Sequence, residues 1–281
     1  ALFEYHFLQN ALISGILASI VCGVIGVIIV EKKLVMMSGG IAHTAYGGVG
    51  LGYLMGFEPI IGAFLFSLSA ALGIGVIKRK GGIHTDVIIA LFWSLGMALG
   101  ILFIALMPGY PPDLSSYLFG NILAVTRSDL YLMLCLTLIV TFVIVSLFHQ
   151  WKAFLFDEEF ASIIGLKKIF MEYLLLILVA MTVVVLIRVV GIILVLALLT
   201  APAALTGMLT VSLKNRMLYS ILCGIGFCMG GLWISYAINI ASGASIVIFA
   251  VICYLLSYMV HAFYKKVKRD KLLRQASNVN S

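Results

Sequence analysis

Nine apolar runs, most of them close to 20 residues long, govern what this chain can become, because a run of about that length crosses the roughly 30 Å hydrocarbon core of a bilayer as a helix. They lie near 11–30, 34–56, 60–77, 87–107, 130–148, 169–187, 189–209, 218–238 and 246–263. With 63% hydrophobic and 10% charged residues among 281, and a mean hydropathy of +1.20, the chain carries more apolar surface than a water-soluble core encloses. The sequence therefore predicts an all-α integral membrane protein, a single polytopic domain over 1–281. The runs on either side of Arg188 are joined by "RVVG", a turn so short that one long kinked segment is the alternative, giving eight spans in place of nine. The first run has no A-x-A-type site after it and reads as a retained helix rather than a cleaved signal.

Charge then orients the bundle. Assigning the connections alternately to two sides collects sixteen of the eighteen Lys and Arg residues on one side, from Lys32 and Lys33 to Arg274, and leaves Arg127 and Arg188 on the other. The positive-inside rule places the larger group in the cytoplasm and the N-terminus outside, in a plasma (inner) membrane. The net charge of +7 is thereby explained by orientation and by the basic tail at 264–281, which reads as a lipid-headgroup anchor and not as a nucleic-acid surface.

Two connections exceed what a turn needs. The outer one, "PGYPPDLSSYLFGNILAVTRSD" at 108–129, holds three of the five prolines around an apolar centre and predicts a short re-entrant or interfacial helix. The inner one, 149–168, predicts a short amphipathic helix. Asp157 can cap it, Glu158 and Glu159 suit the positive end of its dipole, and Gly165 with Lys167 and Lys168 suits the exit. On local grounds a bare interfacial helix accounts for this segment as well as a docking element does.

Few residues remain that could do chemistry inside a membrane, where ionisable groups are expensive and mark function. The clearest is His43, in "SGGIAHTAYGGVGLGY" at 38–53. Gly39, His43, Gly47 and Gly50 fall on one helical face, a groove that lets a neighbouring backbone approach. His43 is then either interhelical glue or a ligand, since neutral imidazole binds zinc, manganese and iron. Asp86, behind "GGIHT" with His84, is a helix cap or a pathway carboxylate. Met36 and Met37 offer thioethers or packing. Asn121 is a neutral acceptor in the outer segment. Glu172 and Arg188 near opposite ends of one span are explained by snorkelling, and His149 and His261 lie at the boundary. The five cysteines sit inside apolar runs without C-x-x-C spacing, as small hydrophobes.

Absences narrow the class. There is no G-x-x-x-x-G-K-[ST] for ATP, no H-E-x-x-H and no G-x-S-x-G, no arginine ladder and no potassium filter. What is left is a translocation subunit, not an enzyme, driven either by an ion gradient or by a separate ATPase. An ion-coupled carrier should show inverted repeats with broken helices in both halves, and only the second span has that character.

Four stretches in order, "SGGIAHTAYGGVGLGY", "TDVIIALFWSLGMALG", "SYLFGNILAVTRSDL" and "DEEFASIIGLKK" running on to "VVGIILVLALLTAPAALTG", resemble the permease subunits of bacterial ATP-binding-cassette importers for zinc, manganese and iron. The resemblance implies a homodimeric permease, two cytoplasmic ATPase subunits that use the ATP, an extracellular metal-binding protein, alternating access, and a transition-metal ion as substrate with no permanent cofactor. It implies an aspartate four residues before the histidine; here that position is Gly39, and the family's Leu-Pro-Gly after the histidine is replaced by Tyr46 to Gly48. Two copies of His43 meeting at the dimer axis are the preferred replacement for the missing ligand. A donor from elsewhere, Asp86 or Met36, or a metal that keeps some of its water are the others. Asp86 matches a recurrent family aspartate, and Phe156, Asp157, Glu158, Glu159, Phe160 and Gly165 match the helix that couples to the ATPase.

Overall fold

The computed structural model describes residues 6–80, 85–109, 115–156, 158–163 and 165–279; the side chains of Lys80, Ser115, Ser116, Glu158, Phe160, Ser162 and 269–279 are outside the description. All regular structure among the described residues is helical. The order is α1 (His6–Glu31), α2 (Val35–Met55), α3 (Pro59–Lys80), α4 (Thr85–Ala105), α5 (Ser115–Phe119), a 3-10 turn (Ile122–Ala124), α6 (Arg127–Ser146), α7 (Phe148–Phe156), α8 (Glu158–Ile163), α9 (Lys168–Leu209), α10 (Leu213–Ile238) and α11 (Ser242–Val279). Seven of these are long and apolar enough to cross a membrane: α1, α3, α4, α6, α9, α10 and α11.

The one helix of about 20 residues that falls short of that test, α2, is deeply enclosed. It is buried almost without interruption from Met37 to Gly52, because α3 and α4 pack on it backbone to backbone. A Cβ at Gly47 would lie 2.8 Å from the Gly96 carbonyl oxygen of α4, and one at Gly50 2.6 Å from that of Gly100. On the α3 side, Gly48 and Gly62 meet so closely that neither could carry a side chain. Six glycines lower the hydropathy of α2 and are also what lets it be surrounded by protein, where hydropathy no longer matters.

Long-range contacts define two ends of the bundle. At one, the Asn10 side-chain amide donates to the Val125 carbonyl (3.1 Å), and Arg188 pairs with Glu58 and Asp129. At the other, Arg216 pairs with Glu31, Arg79 donates to the Tyr173 hydroxyl, and Lys32 lies 3.9 Å over the Phe154 ring. The 42-residue α9 touches the second end at both of its own termini, through Tyr173 near its start and through Gly207, which lies beside Arg216, near its finish. Its middle is at the first end. The chain folds back at Gly191, whose φ of 76° and ψ of 161° belong to a region open essentially only to glycine. The reversal falls three residues beyond Arg188, at the one residue of "RVVG" able to adopt it.

One connection and the basic tail differ from the sequence expectation. The segment expected as one helix beginning at Asp157 holds two, α7 and α8; Asp157 itself lies outside the described residues. Helix α7 forms because Trp151 and Phe154, three apart on one face, are both fully enclosed against the bundle, whereas the sequence placed them in the inner connection. Gly165 follows α8 with φ 73°, as a helix exit requires. The basic tail, expected as an anchor following a span that ends near 263, continues α11 to Val279, since Lys, Arg and Leu are good helix formers.

Candidate metal-pathway site

The glycine face of α2 brings His43 against α4. Its imidazole is nearly enclosed, 9% exposed, and stacks on the Trp93 indole with ring centroids 3.9 Å apart and planes 12° from parallel. Its Nδ1 is 3.4 Å from the Met97 sulfur. Gly39, one turn before His43, is where a carboxylate was missed in the sequence; the same indole occupies that space, and a Cβ on Gly39 would sit 3.2 Å from its Cζ3. Trp93 and Met97 are one turn apart on α4 and neither was singled out from the sequence. The signal was available: Asp86, Trp93 and Met97 lie seven and four residues apart and so fall on one stripe, matching Met36, Gly39 and His43 on α2. The backbone contacts run in parallel register, Gly40 with Ile89, Gly47 with Gly96, Gly50 with Gly100.

That register separates the expected donors. Asp86 is exposed in the first turn of α4, two turns or about 10 Å along the axis from Trp93. Met36 is half exposed at the same level. Neither reaches His43. Thr44, beside the histidine, donates its hydroxyl to the carbonyls of Gly40 (2.7 Å) and Phe92 (3.1 Å), which fastens α2 to α4. Asn121 is used locally, its side chain accepting the Leu123 amide as the cap of the 3-10 turn. Among the described residues no three His, Cys, Asp or Glu side chains form a metal-holding group, and all five cysteines are free. His84 lies outside the described residues.

At the Asn10 end, Arg188 does more than snorkel. Its Nε lies 3.1 Å from Asp129 Oδ1 and its Nη1 3.2 Å from Glu58. Asp129, almost wholly buried, also closes a capping box at the start of α6, its Oδ2 accepting the Thr126 amide and hydroxyl. Beside it the Tyr53 and Tyr117 hydroxyls meet at 2.9 Å, and Gly120 stacks on the Gly191 break. One junction thus ties the α2–α3 turn, α5, α6 and α9. "TRSD" carries capping-box spacing that was not singled out from the sequence, and the partner at Arg188 leaves no local signal.

At the opposite end, α7 and the α9–α10 turn border an open concavity of about 600 Å³, rimmed by Lys152, Lys214, the half-exposed Phe156 and the strongly exposed Val211. Glu159 is exposed beside it in sequence, in α8. A basic rim around exposed apolar side chains has the composition of a protein-docking surface.

The comparisons with known proteins agree with this architecture. An uncharacterized membrane protein of Synechocystis is 42% identical over 90% of each chain. The manganese transport system membrane protein MntC of Listeria monocytogenes is 36% identical over 92% of each. The structure of PsaBC from Streptococcus pneumoniae in complex with Fab superposes with a TM-score of 0.85 at 36% identity, over 95% of this chain and 97% of that one. Residues 4–261 match the ABC 3 transport family throughout, and this chain belongs to it, as a membrane permease subunit of the metal-importing ABC transporters.

Proposed function

We propose that the chain forms the pathway half of an importer that moves a divalent transition-metal ion into the cytoplasm by alternating access. The bundle then has nine spans, with each half of α9 counted as one, the Asn10 end outside, and α7, α8 and the basic tail inside. The α5 segment takes the place of the expected re-entrant element. Two copies enclose the route. A metal-binding protein docks on the outer junction, and two ATPase subunits dock at the inner concavity and α8, through Phe156, Asp157, Glu158, Glu159, Phe160 and the Gly165 exit. The relatives named for manganese make that ion the first cargo to test, with zinc and iron beside it.

The observation that carries this reading is the placement of a nearly enclosed histidine, His43, on the glycine seam between α2 and α4, against the Trp93 indole and the Met97 sulfur. The test is reconstitution of the chain with its ATPase: metal uptake should require ATP, fall when 156–160 are scrambled, and fall in His43→Ala. Robust uptake driven by an ion gradient in the chain alone would establish the carrier reading instead.

A further inference from the structure

Two elements border the inner concavity, and both reach through to the same neighbour. On α7, Lys152 and Phe156 are one turn apart and line the concavity, while Trp151 and Phe154 on the other face are buried in the bundle. The Phe154 ring lies 3.9 Å beneath the Lys32 ammonium, just past the end of α1. On α10, Lys214 lines the concavity; Arg216, two residues on and so on a different face, pairs with Glu31, the last residue of α1. We propose that Phe154 and Arg216 are positioning residues that carry movement of the docked ATPase to the end of α1, and from there through the α1–α2 turn to the His43 seam. The inference rests on the concavity being the ATPase dock and names the link by which that dock acts on the pathway.

The grip on α1 is specific in shape. The Arg216 side chain is only 14% exposed, and its guanidinium occupies the space over Gly207 at the end of α9, where a Cβ would come within 2.6 Å of Nη2. One side chain thus ties α10 to both α9 and α1. It is not arranged for greatest stability. A two-armed pair is the stronger geometry, yet the contact with Glu31 runs through Nη1, and the buried Nε has no acceptor among the described residues.

What lies beyond Glu31 is short and stiff. Residues 32–34 join α1 to α2, with Lys33 at φ 56°, and the amides of Lys32, Lys33 and Leu34 donate back to the carbonyls of Ile28 (3.0 Å), Val30 (3.1 Å) and Ile29 (2.9 Å). Upstream, Gly23 lies against Ile221 of α10 and Gly26 against the Leu199 carbonyl of α9, so α1 is seated on the same two helices whose turn borders the concavity. Helices α1 and α2 hardly meet otherwise. A shift at the docking surface therefore reaches α2 as a push on its first turn. His43 stands eight residues beyond Val35, about 12 Å along the axis.

The test uses the whole importer in proteoliposomes, two permease copies with the ATPase and the metal-binding protein, with manganese uptake and ATP hydrolysis measured in the same vesicles. In Arg216→Gln, Phe154→Leu and the isosteric Glu31→Gln the ATPase should still co-purify and hydrolyse ATP, while manganese moved per ATP falls about tenfold, an ordinary size for coupling between distant sites. The double variant Glu31→Gln/Arg216→Gln should lose no more than the worse single one, because both act through one contact. Phe227→Leu removes a buried ring of α10 that packs on Phe249 of α11, and should keep the wild-type ratio. Uptake and hydrolysis falling in proportion overturns the inference, since a side chain that only stabilises the fold would give that result. So does an equal loss in Phe227→Leu, or losses that multiply in the double variant. Manganese uptake by wild type without ATP would remove the importer reading itself, and this inference with it.

Discussion

The α2–α4 seam and the junction of α5, α6 and α9 are both assembled around glycines, yet they differ in what the glycines bring together. In the seam, Gly47, Gly50, Gly96 and Gly100 press two helices into contact along their length, and the polar groups admitted are few: His43, Thr44 and the Met97 sulfur. At the junction, Gly120 and Gly191 let two backbones touch at one point, and around that point gather Arg188, Asp129, Glu58, Thr126, Tyr53 and Tyr117. A seam lined by small residues has little that must be unpaired when helices slide or an indole turns. A charged knot resists movement, because opening it strands a buried carboxylate. The first arrangement suits a route that changes, the second a brace.

The sharpest way to break this contrast is to put a side chain where each contact forbids one. Gly48→Val puts its Cβ into the Gly62 backbone, so no rotamer avoids main chain. We expect no folded protein, read as loss of the monodisperse peak on gel filtration, whereas Gly226→Val, with nothing within 4 Å, should behave as wild type. Gly191→Ala comes next. Its backbone conformation alone costs about 1–3 kcal/mol for any residue with a Cβ, and the added methyl meets Gly120. The expected result is a thermal midpoint well below wild type; an unchanged midpoint would mean that the reversal of α9 is not held as described.

How much of this was readable beforehand differs between the two regions for a physical reason. The seam was largely legible: Gly39, His43, Gly47 and Gly50 share a face by helical periodicity, and that face does pack on a neighbour. What could not be read was which neighbour, because helix pairing depends on the tertiary register that brings Trp93 and Met97 to His43. The junction was legible only in one fragment, "RVVG" as a turn; the capping-box spacing of "TRSD" was not singled out. Arg188 and Asp129 are far apart in sequence and each has an adequate local explanation, snorkelling for one and capping for the other. The apolar pattern found the outlines of the membrane helices but merged α7 into the loop after α6, since Trp151 and Phe154 announce burial without saying against what.

The ion network supplies a graded pair of experiments. Arg188→Ala leaves Asp129, whose side chain is 7% exposed, as an uncompensated charge. Breaking such a pair from one side costs about 3–5 kcal/mol in a buried setting; Arg188 is itself 42% exposed, so the lower end of that range is expected, with part of it recovered in Arg188→Ala/Asp129→Asn. Heating in detergent followed by gel filtration reads the difference.

Glu58→Ala should do least. Its carboxylate is 57% exposed and meets the same guanidinium from the solvent side, a geometry worth at most about 1 kcal/mol. What makes it informative is salt. The Glu58 pair is screened within a Debye length of roughly 8 Å at physiological ionic strength, while the Asp129 pair is shielded by the protein around it. Raising salt in wild type should therefore reproduce most of the small Glu58→Ala shift and little of the Arg188→Ala shift. If instead high salt lowered the wild-type midpoint as far as Arg188→Ala does, the junction would be a solvated charge cluster, and the distinction between a seam that moves and a knot that holds would lose its physical basis.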